Sequence, residues 1–177
     1  DAFVFVADGR FHLESAMIHN PSVLSYQYNP YNKIITQEFY ETPKMLANRQ
    51  NAITKAKDQT EWGIILGTLG RQGNVNILER LKKAMDDAGK KYFVLLLSEI
   101  FPSKLALFEE VGAWVQTACP RLSIDWGRAF EHAPLLNPYE AHVALEKTTF
   151  KATYPMDFYT RGSGPWTNYY TEEDKAN

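Results

Sequence analysis

The sequence predicts an α/β protein: a Rossmann-like parallel sheet flanked by helices in a βαβαβ run. Three features predict it. Short apolar segments recur at 62–66, 92–97 and 113–115, the last within a strand expected over 113–117. Helical stretches separate them. A glycine-rich loop, 67–74, joins the first of these strands to its helix. Strands that are apolar throughout, without alternation, suit a parallel sheet covered on both faces.

Residues 3–7, Phe-Val-Phe-Val-Ala, read as a buried strand, and Asp8-Gly9-Arg10 as a turn. A short helix is expected over 11–19, with Phe11, Ala16, Met17 and Ile18 as its apolar residues. Asn20-Pro21 stops it, because proline cannot continue a helix and restricts the residue before it. Residues 23–28 and 33–39 are strands joined by the turn Asn29-Pro30-Tyr31-Asn32. Residues 1–40 are therefore βαβ followed by a hairpin. The chain enters this strand without Met or lead-in, so it is expected to be a piece of a longer protein.

Thr42-Pro43 is a helix start, with Thr as cap and Pro at the first position. The helix is expected over 43–58, with Met45, Leu46, Arg49, Ile53 and Ala56 on one face. The helix over 75–88 carries Leu78, Leu81, Met85 and Ala88 on one stripe and ends at Gly89. Another is predicted over 103–110, with Gly112 past its end. Order is expected to decline after Trp126. One more helix starts at Asn137-Pro138 and runs to about 146, and 154–159 is aromatic. Residues 161–165 and the acidic end 172–177 read as loop and tail.

Composition narrows the function classes. A length of 177 residues suits one domain or slightly more. The formal charge of −2 argues against a general nucleic-acid binder. No apolar run approaches the ~20 residues of a membrane helix. A single cysteine excludes an internal disulfide, and nothing points to secretion. A cytoplasmic location is expected, with neither membrane nor nucleic acid as a direct partner.

In a parallel sheet the carboxyl ends of the strands share one edge, where ligands bind. The 67–74 loop, Ser98-Glu99 and Cys119 each follow a strand and should meet there. Cys119 has two readings. It is a small buried hydrophobe, or it is a functional thiolate favoured by the nearby cation of Arg121. A Cys-His nucleophile pair could form in space with His12, His19, His132 or His142, but nothing selects one. A lone cysteine cannot hold a metal cluster, so a ligand role needs partners outside this chain. The loop reads Gly67-x-x-Gly70-x-x-Gly73. That is neither the dinucleotide spacing nor a P-loop. It is a tight strand-to-helix turn, or a set of backbone amides that bind an anion with Arg71 and Gln72. Asp8-Gly9-Arg10-Phe11-His12 reads as a capped turn. Asp125 either orients Arg121 or caps a turn.

Several segments carry a family pattern: Asp8-Gly-Arg-Phe-His-Leu-Glu-Ser15, Tyr28-Asn-Pro-Tyr-Asn-Lys33, Ile65-Leu-Gly-Thr-Leu-Gly-Arg-Gln-Gly73, Leu97-Ser-Glu-Ile-Phe-Pro102, Ala118-Cys-Pro-Arg-Leu-Ser-Ile-Asp-Trp-Gly127, Pro138-Tyr-Glu140 and Tyr154-Pro-Met-Asp-Phe-Tyr159. Together, in this order and spacing, they resemble the diphthamide synthase family, and within it the eukaryotic first-subunit branch. The resemblance covers nearly the whole chain.

The resemblance implies three similar α/β domains around a [4Fe–4S] cluster, each giving one cysteine, with the fourth iron left for S-adenosylmethionine. Cys119 matches the third-domain ligand. The implied reaction moves a 3-amino-3-carboxypropyl radical from S-adenosylmethionine to a histidine of translation elongation factor 2, the first step of diphthamide synthesis. The implied partners are a second synthase subunit in a heterodimer and a small electron-donor metalloprotein. Residues 1–42 then correspond to the rear of the middle domain, 43–150 to the third domain and 151–177 to a partly disordered extension. The first two family cysteines are absent, so the chain alone is expected to hold no cluster and to be inactive. Gly70, Arg71, Gln72, Gly73 and Asp125 are the candidate cofactor-binding residues. Against this stands a Rossmann-like small-molecule binding or interaction module with a structural cysteine; a Cys-nucleophile hydrolase is a third reading.

Overall fold

The computed structural model describes residues 1–70, 72–130 and 132–171. The chain divides into two compact units, Asp1–Leu46 with Lys151–Asp157, and Ala47–Phe150 with Phe158–Asn177.

The first unit contains β1 (Ala2–Val6), α1 (Phe11–His19), β2 (Leu24–Asn29) and β3 (Ile34–Glu38). β1 and β2 are parallel, and β2 and β3 form the expected antiparallel hairpin with Asn29 opposite Ile34. The turn closes because Asn29 Oδ1 accepts the Tyr31 N–H at 2.9 Å and Lys33 takes a left-handed φ of 59°. α1 buries Leu13, Met17 and Ile18. Phe11, expected on that face, is exposed. The expectation of a buried first strand is also corrected. Its burial alternates, with Val4 and Val6 exposed, because successive strand side chains point to opposite faces and one face of β1 is open. Arg10 closes the unit by donating to Glu14 at 2.8 Å, Glu38 at 2.7 Å and the Phe39 carbonyl at 2.8 Å. Its tail strand of chain returns to α1, where the Met156 N–H meets His19 Nδ1 at 3.2 Å.

The division between the units falls within α2 (Thr42–Lys57). The second unit then runs β4 (Glu61–Gly67), α3 (Val75–Asp87), β5 (Lys91–Leu97), α4 (Pro102–Leu105), β6 (Ala113–Gln116), α5 (Pro120–Trp126), β7 (Leu135–Leu136) and α6 (Pro138–Ala144). Its four strands lie in the order β5-β4-β6-β7 and every pairing is parallel. Both faces of β4 and β6 are covered, as their apolar runs predict, while the edge strand β5 leaves Phe93 and Leu96 exposed. Trp62 and Ile64 of β4 enter one core with Ile53, Ala56, Leu81 and Met85; Ile65 enters the other with Leu105, Trp114 and Leu135. A side chain at Gly63 would overlap the Trp114 ring, so glycine there lets the indole lie across the strand.

Two expectations fail in this unit. The helix predicted over 103–110 ends at Leu105, and the chain turns so that Phe108 packs on Phe93 and Trp114 at ring distances of 5.5 Å. Aromatic packing overrides the local helical tendency there. Order does not decline after Trp126. A 3-10 turn (Gly127–Ala129), β7 and α6 follow, and α6 carries a capping box in which Asn137 and Glu140 serve each other. The described part of the tail also packs. Arg80 of α3 donates to the carbonyls of Pro165 at 2.7 Å and Thr167 at 2.6 Å, and Trp166 meets Tyr139 edge-on at 5.1 Å. The acidic end, 172–177, lies outside the described residues.

Candidate functional site

The parallel registers place Gly67, Leu97 and Gln116 at one edge of the sheet, and the segments that follow them meet there. The Thr68 N–H donates to the Leu97 carbonyl at 2.9 Å. Thr117 donates through its N–H at 2.9 Å and its hydroxyl at 3.2 Å to the Ile65 carbonyl. Gly67 lies so close to Ala118 that a Cβ on Gly67 would stand 2.8 Å from the Ala118 Cβ. The glycine loop and the cysteine segment therefore touch, as strand-edge reasoning predicts.

Cys119 is the cap residue of α5, half-buried, with its backbone extended at φ −89° and ψ 131°. Its thiol makes no capping hydrogen bond. Its carbonyl accepts from the Leu122 N–H at 3.0 Å and from the Gln116 side-chain amide at 2.8 Å. Gln116 is fully buried. Its Oε1 accepts the Ala118 N–H at 2.7 Å, and its Nε2 also donates to Ser123 Oγ at 3.0 Å. One side chain thus ties the strand end, the residue before the cysteine, the cysteine itself and the helix after it.

Ser123 connects this clamp to a buried ion pair. Its carbonyl accepts from Arg49. Arg49 also engages both Glu140 oxygens, at 2.6 and 2.7 Å, and the Leu135 carbonyl at 2.8 Å. Both charged side chains are shielded from water, so the bidentate geometry is what makes their burial tolerable.

The other expected residues divide. Gly70 takes φ +62°, a conformation that favours glycine, and Gly73 folds back onto the Gly67 carbonyl and Leu66. Gln72 lies between them in the loop. Arg71 lies outside the described residues. The α3 amides expected to be free for an anion are partly taken, because Asn74 Oδ1 accepts from the Asn76 N–H at 2.8 Å and the Ile77 N–H at 3.2 Å. Arg121 is buried and paired with Asp125 at 2.9 Å, so Asp125 does orient it and its charge is not reserved for the thiol. Asp125 also lines a cleft of about 1100 Å³ with Asn48, Arg128 and His132. That cleft lies at the opposite edge, beside Gln59, Gly112 and Pro134, where strands begin; volume alone does not select it as the site.

Among the described residues of the second unit, no Cys-His pair forms. His132 Nε2 is 3.0 Å from the Glu109 carbonyl, and His142 is buried on α6. Among the described residues, no group of three or more His, Cys, Asp or Glu side chains is placed to hold a metal ion. What the structure does contain is one accessible thiol on a fixed backbone. That suits a single thiolate ligand within a larger cradle.

Sequence reasoning missed Gln116, Ser123, Arg49 and Glu140 as a connected set. The signals were a polar residue closing the apolar strand Ala113-Trp114-Val115 and an arginine on the apolar face of α2.

Residues 1–155 match the model of the diphthamide synthesis protein family. The chain belongs to that family. It is 56% identical to 2-(3-amino-3-carboxypropyl)histidine synthase subunit 1 from Bos taurus and from Homo sapiens, covering 94% of this chain and 38% of each relative. The Dictyostelium discoideum protein of the same name is 54% identical, over 94% of this chain and 35% of its own length. The chain thus spans under two fifths of the length of these three relatives. Among solved structures it resembles Dph2 from Pyrococcus horikoshii with a 4Fe-4S cluster, with a TM-score of 0.69 and 23% identity over 88% of this chain and 43% of that one. This likeness supports the diphthamide-family α/β fold.

Proposed function

We propose that Cys119 supplies one thiolate of a [4Fe–4S] cluster in an enzyme of diphthamide biosynthesis. That enzyme would transfer the 3-amino-3-carboxypropyl group of S-adenosylmethionine to a histidine of translation elongation factor 2. The observation that carries the reading is Cys119 itself: a half-buried thiol at the carboxyl edge of a parallel sheet, in a chain of this family. When bound, such a cluster offers an open iron for the amino and carboxylate groups of S-adenosylmethionine and the electron that breaks its Cγ–S bond.

The chain's own residues hold and shape this edge. Gln116 and Thr117 fix the backbone on either side of the thiol. Gly67 and Ala118 bring the loop against it without a side chain between them. Gly70, Gln72 and Gly73, with Arg71, are the candidates for the methionine carboxylate. The Asn74 cap takes the Asn76 and Ile77 amides of α3, which shifts this role toward the loop amides and side chains. The other two cluster ligands, a second synthase subunit and a small electron-donor metalloprotein complete the proposed assembly. Its elongation-factor substrate puts it in the cytoplasm, and among the described residues no helix is long and apolar enough to cross a membrane.

The test is Cys119→Ala in the full-length enzyme, which carries the other two ligands, reconstituted anaerobically with iron and sulfide. Loss of the iron–sulfur absorption and of carboxypropyl transfer is expected. Full iron content and full activity would return Cys119 to a packing role and favour a small-molecule binding module.

A further inference from the structure

The thiol at the sheet edge is carried by a backbone with few local reasons to hold still. Residues 117–119 leave the sheet and enter α5 over three positions, and the cap side chain makes no hydrogen bond to the helix it starts. Pro120 at the first helical position has no N–H to give. Thr117 is tied to the Ile65 carbonyl and the Leu122 N–H reaches the Cys119 carbonyl; the side chain that binds the segment on both sides of the Ala118–Cys119 link is Gln116.

We propose that Gln116 is a positioning residue for Cys119: its buried amide sets the direction in which the thiol leaves the sheet. This rests on the reading of Cys119 as a cluster ligand. The amide is used at both ends. Oε1 accepts the Ala118 N–H at 2.7 Å, and Nε2 donates to the Cys119 carbonyl at 2.8 Å. These two bonds hold the peptide groups on both sides of the Ala118–Cys119 link. The third, to Ser123 Oγ at 3.0 Å, refers them to the first turn and a half of α5. With Gln116 and Ser123 both fully buried, water cannot readily replace a lost bond. A metal ligand delivered by a loop needs this kind of outer support, since the atoms behind a ligand fix its orientation. The amide chemistry is specific. A carboxylate could still accept from Ala118, but it would face the Cys119 carbonyl with an oxygen and no proton.

The experiment compares Gln116→Glu, Gln116→Leu and Ser123→Ala in the full-length enzyme. Alkylation of the cluster-free protein by iodoacetamide is followed at the Cys119 peptide by mass spectrometry, and hydrogen exchange at β4 and α3 amides is followed in parallel. Ser123→Ala is expected to stay within about twofold of the parent, because both bonds flanking the cysteine remain. Gln116→Glu and Gln116→Leu are expected to alkylate roughly tenfold faster, with core exchange unchanged. After reconstitution, the same two variants should show a shifted reduction potential or altered paramagnetic signature.

Parental alkylation rates in both Gln116 variants would overturn the inference. So would an acceleration matched by faster core exchange, or failure of both variants to fold, since Gln116 would then act on the fold as a whole. If Cys119→Ala leaves the cluster intact while Gln116→Glu still exposes the thiol, the cluster reading fails and the positioning role stands.

Discussion

His142 is 3% exposed, and neither ring nitrogen has a hydrogen-bond partner among the described residues. Burial pushes its pKa down from 6.5 to about 4, with the charges of Arg80 and Lys147 adding to the effect. The folded protein therefore keeps the ring neutral where the unfolded chain would protonate it. Stability is complete above about pH 6.5 and falls as the pH drops toward 4, by about 3 kcal/mol across the window. Thermal melts at steps between pH 7 and pH 4 should show this slope, and His142→Leu should flatten it with little loss at neutral pH. A histidine on an otherwise apolar helix face was visible in the sequence. Its burial was not, because it depends on how α6 packs against α3, a contact between distant stretches of the chain. The same limit hid Gln116. Its identity is plain in the sequence, but its three partners are set by where α5 begins.

Among the elements, α2, α5, β7 and α6 share one fastening, the Arg49–Glu140 pair with its bonds to Ser123 and Leu135. Removing one charge leaves the other buried without its counter-charge. Arg49→Met is expected to lower the unfolding free energy by about 3–5 kcal/mol in urea titrations. Arg49→Met with Glu140→Gln should recover part of that, since a neutral amide is less costly to bury and can still serve the α6 cap. The long elements were legible: β4 and α3 have the apolar run and stripe that their burial requires, and β5 has the apolar run of a strand although it lies at the sheet edge with Phe93 and Leu96 exposed. α5 and β7, of seven and two residues, are too short to show a period. α4 was overestimated because Phe108 answers to Trp114 and Phe93 and not to its helical neighbours.

At the scale of the whole molecule, the count of thiols decides what the chain can do by itself. It has one cysteine. The 177-residue chain, purified alone and reconstituted anaerobically, is expected to hold no stoichiometric [4Fe–4S] cluster; a full cluster by iron analysis and visible absorption would refute the shared-ligand arrangement. The parallel architecture and the meeting of the glycine loop with the cysteine segment were foreseeable, because parallel strands put their ends on one edge whatever the loops contain. What closes behind that edge was not foreseeable, because Arg49 and Glu140 are 91 residues apart. That separation also affects timing. A contact that waits for so long a loop to close is expected to form late in folding, after the sheet has begun to assemble. Arg49→Met should then speed unfolding far more than it slows refolding. The pair would thus act as a latch on the lifetime of the folded state, and so on how long Cys119 stays where the sheet has put it.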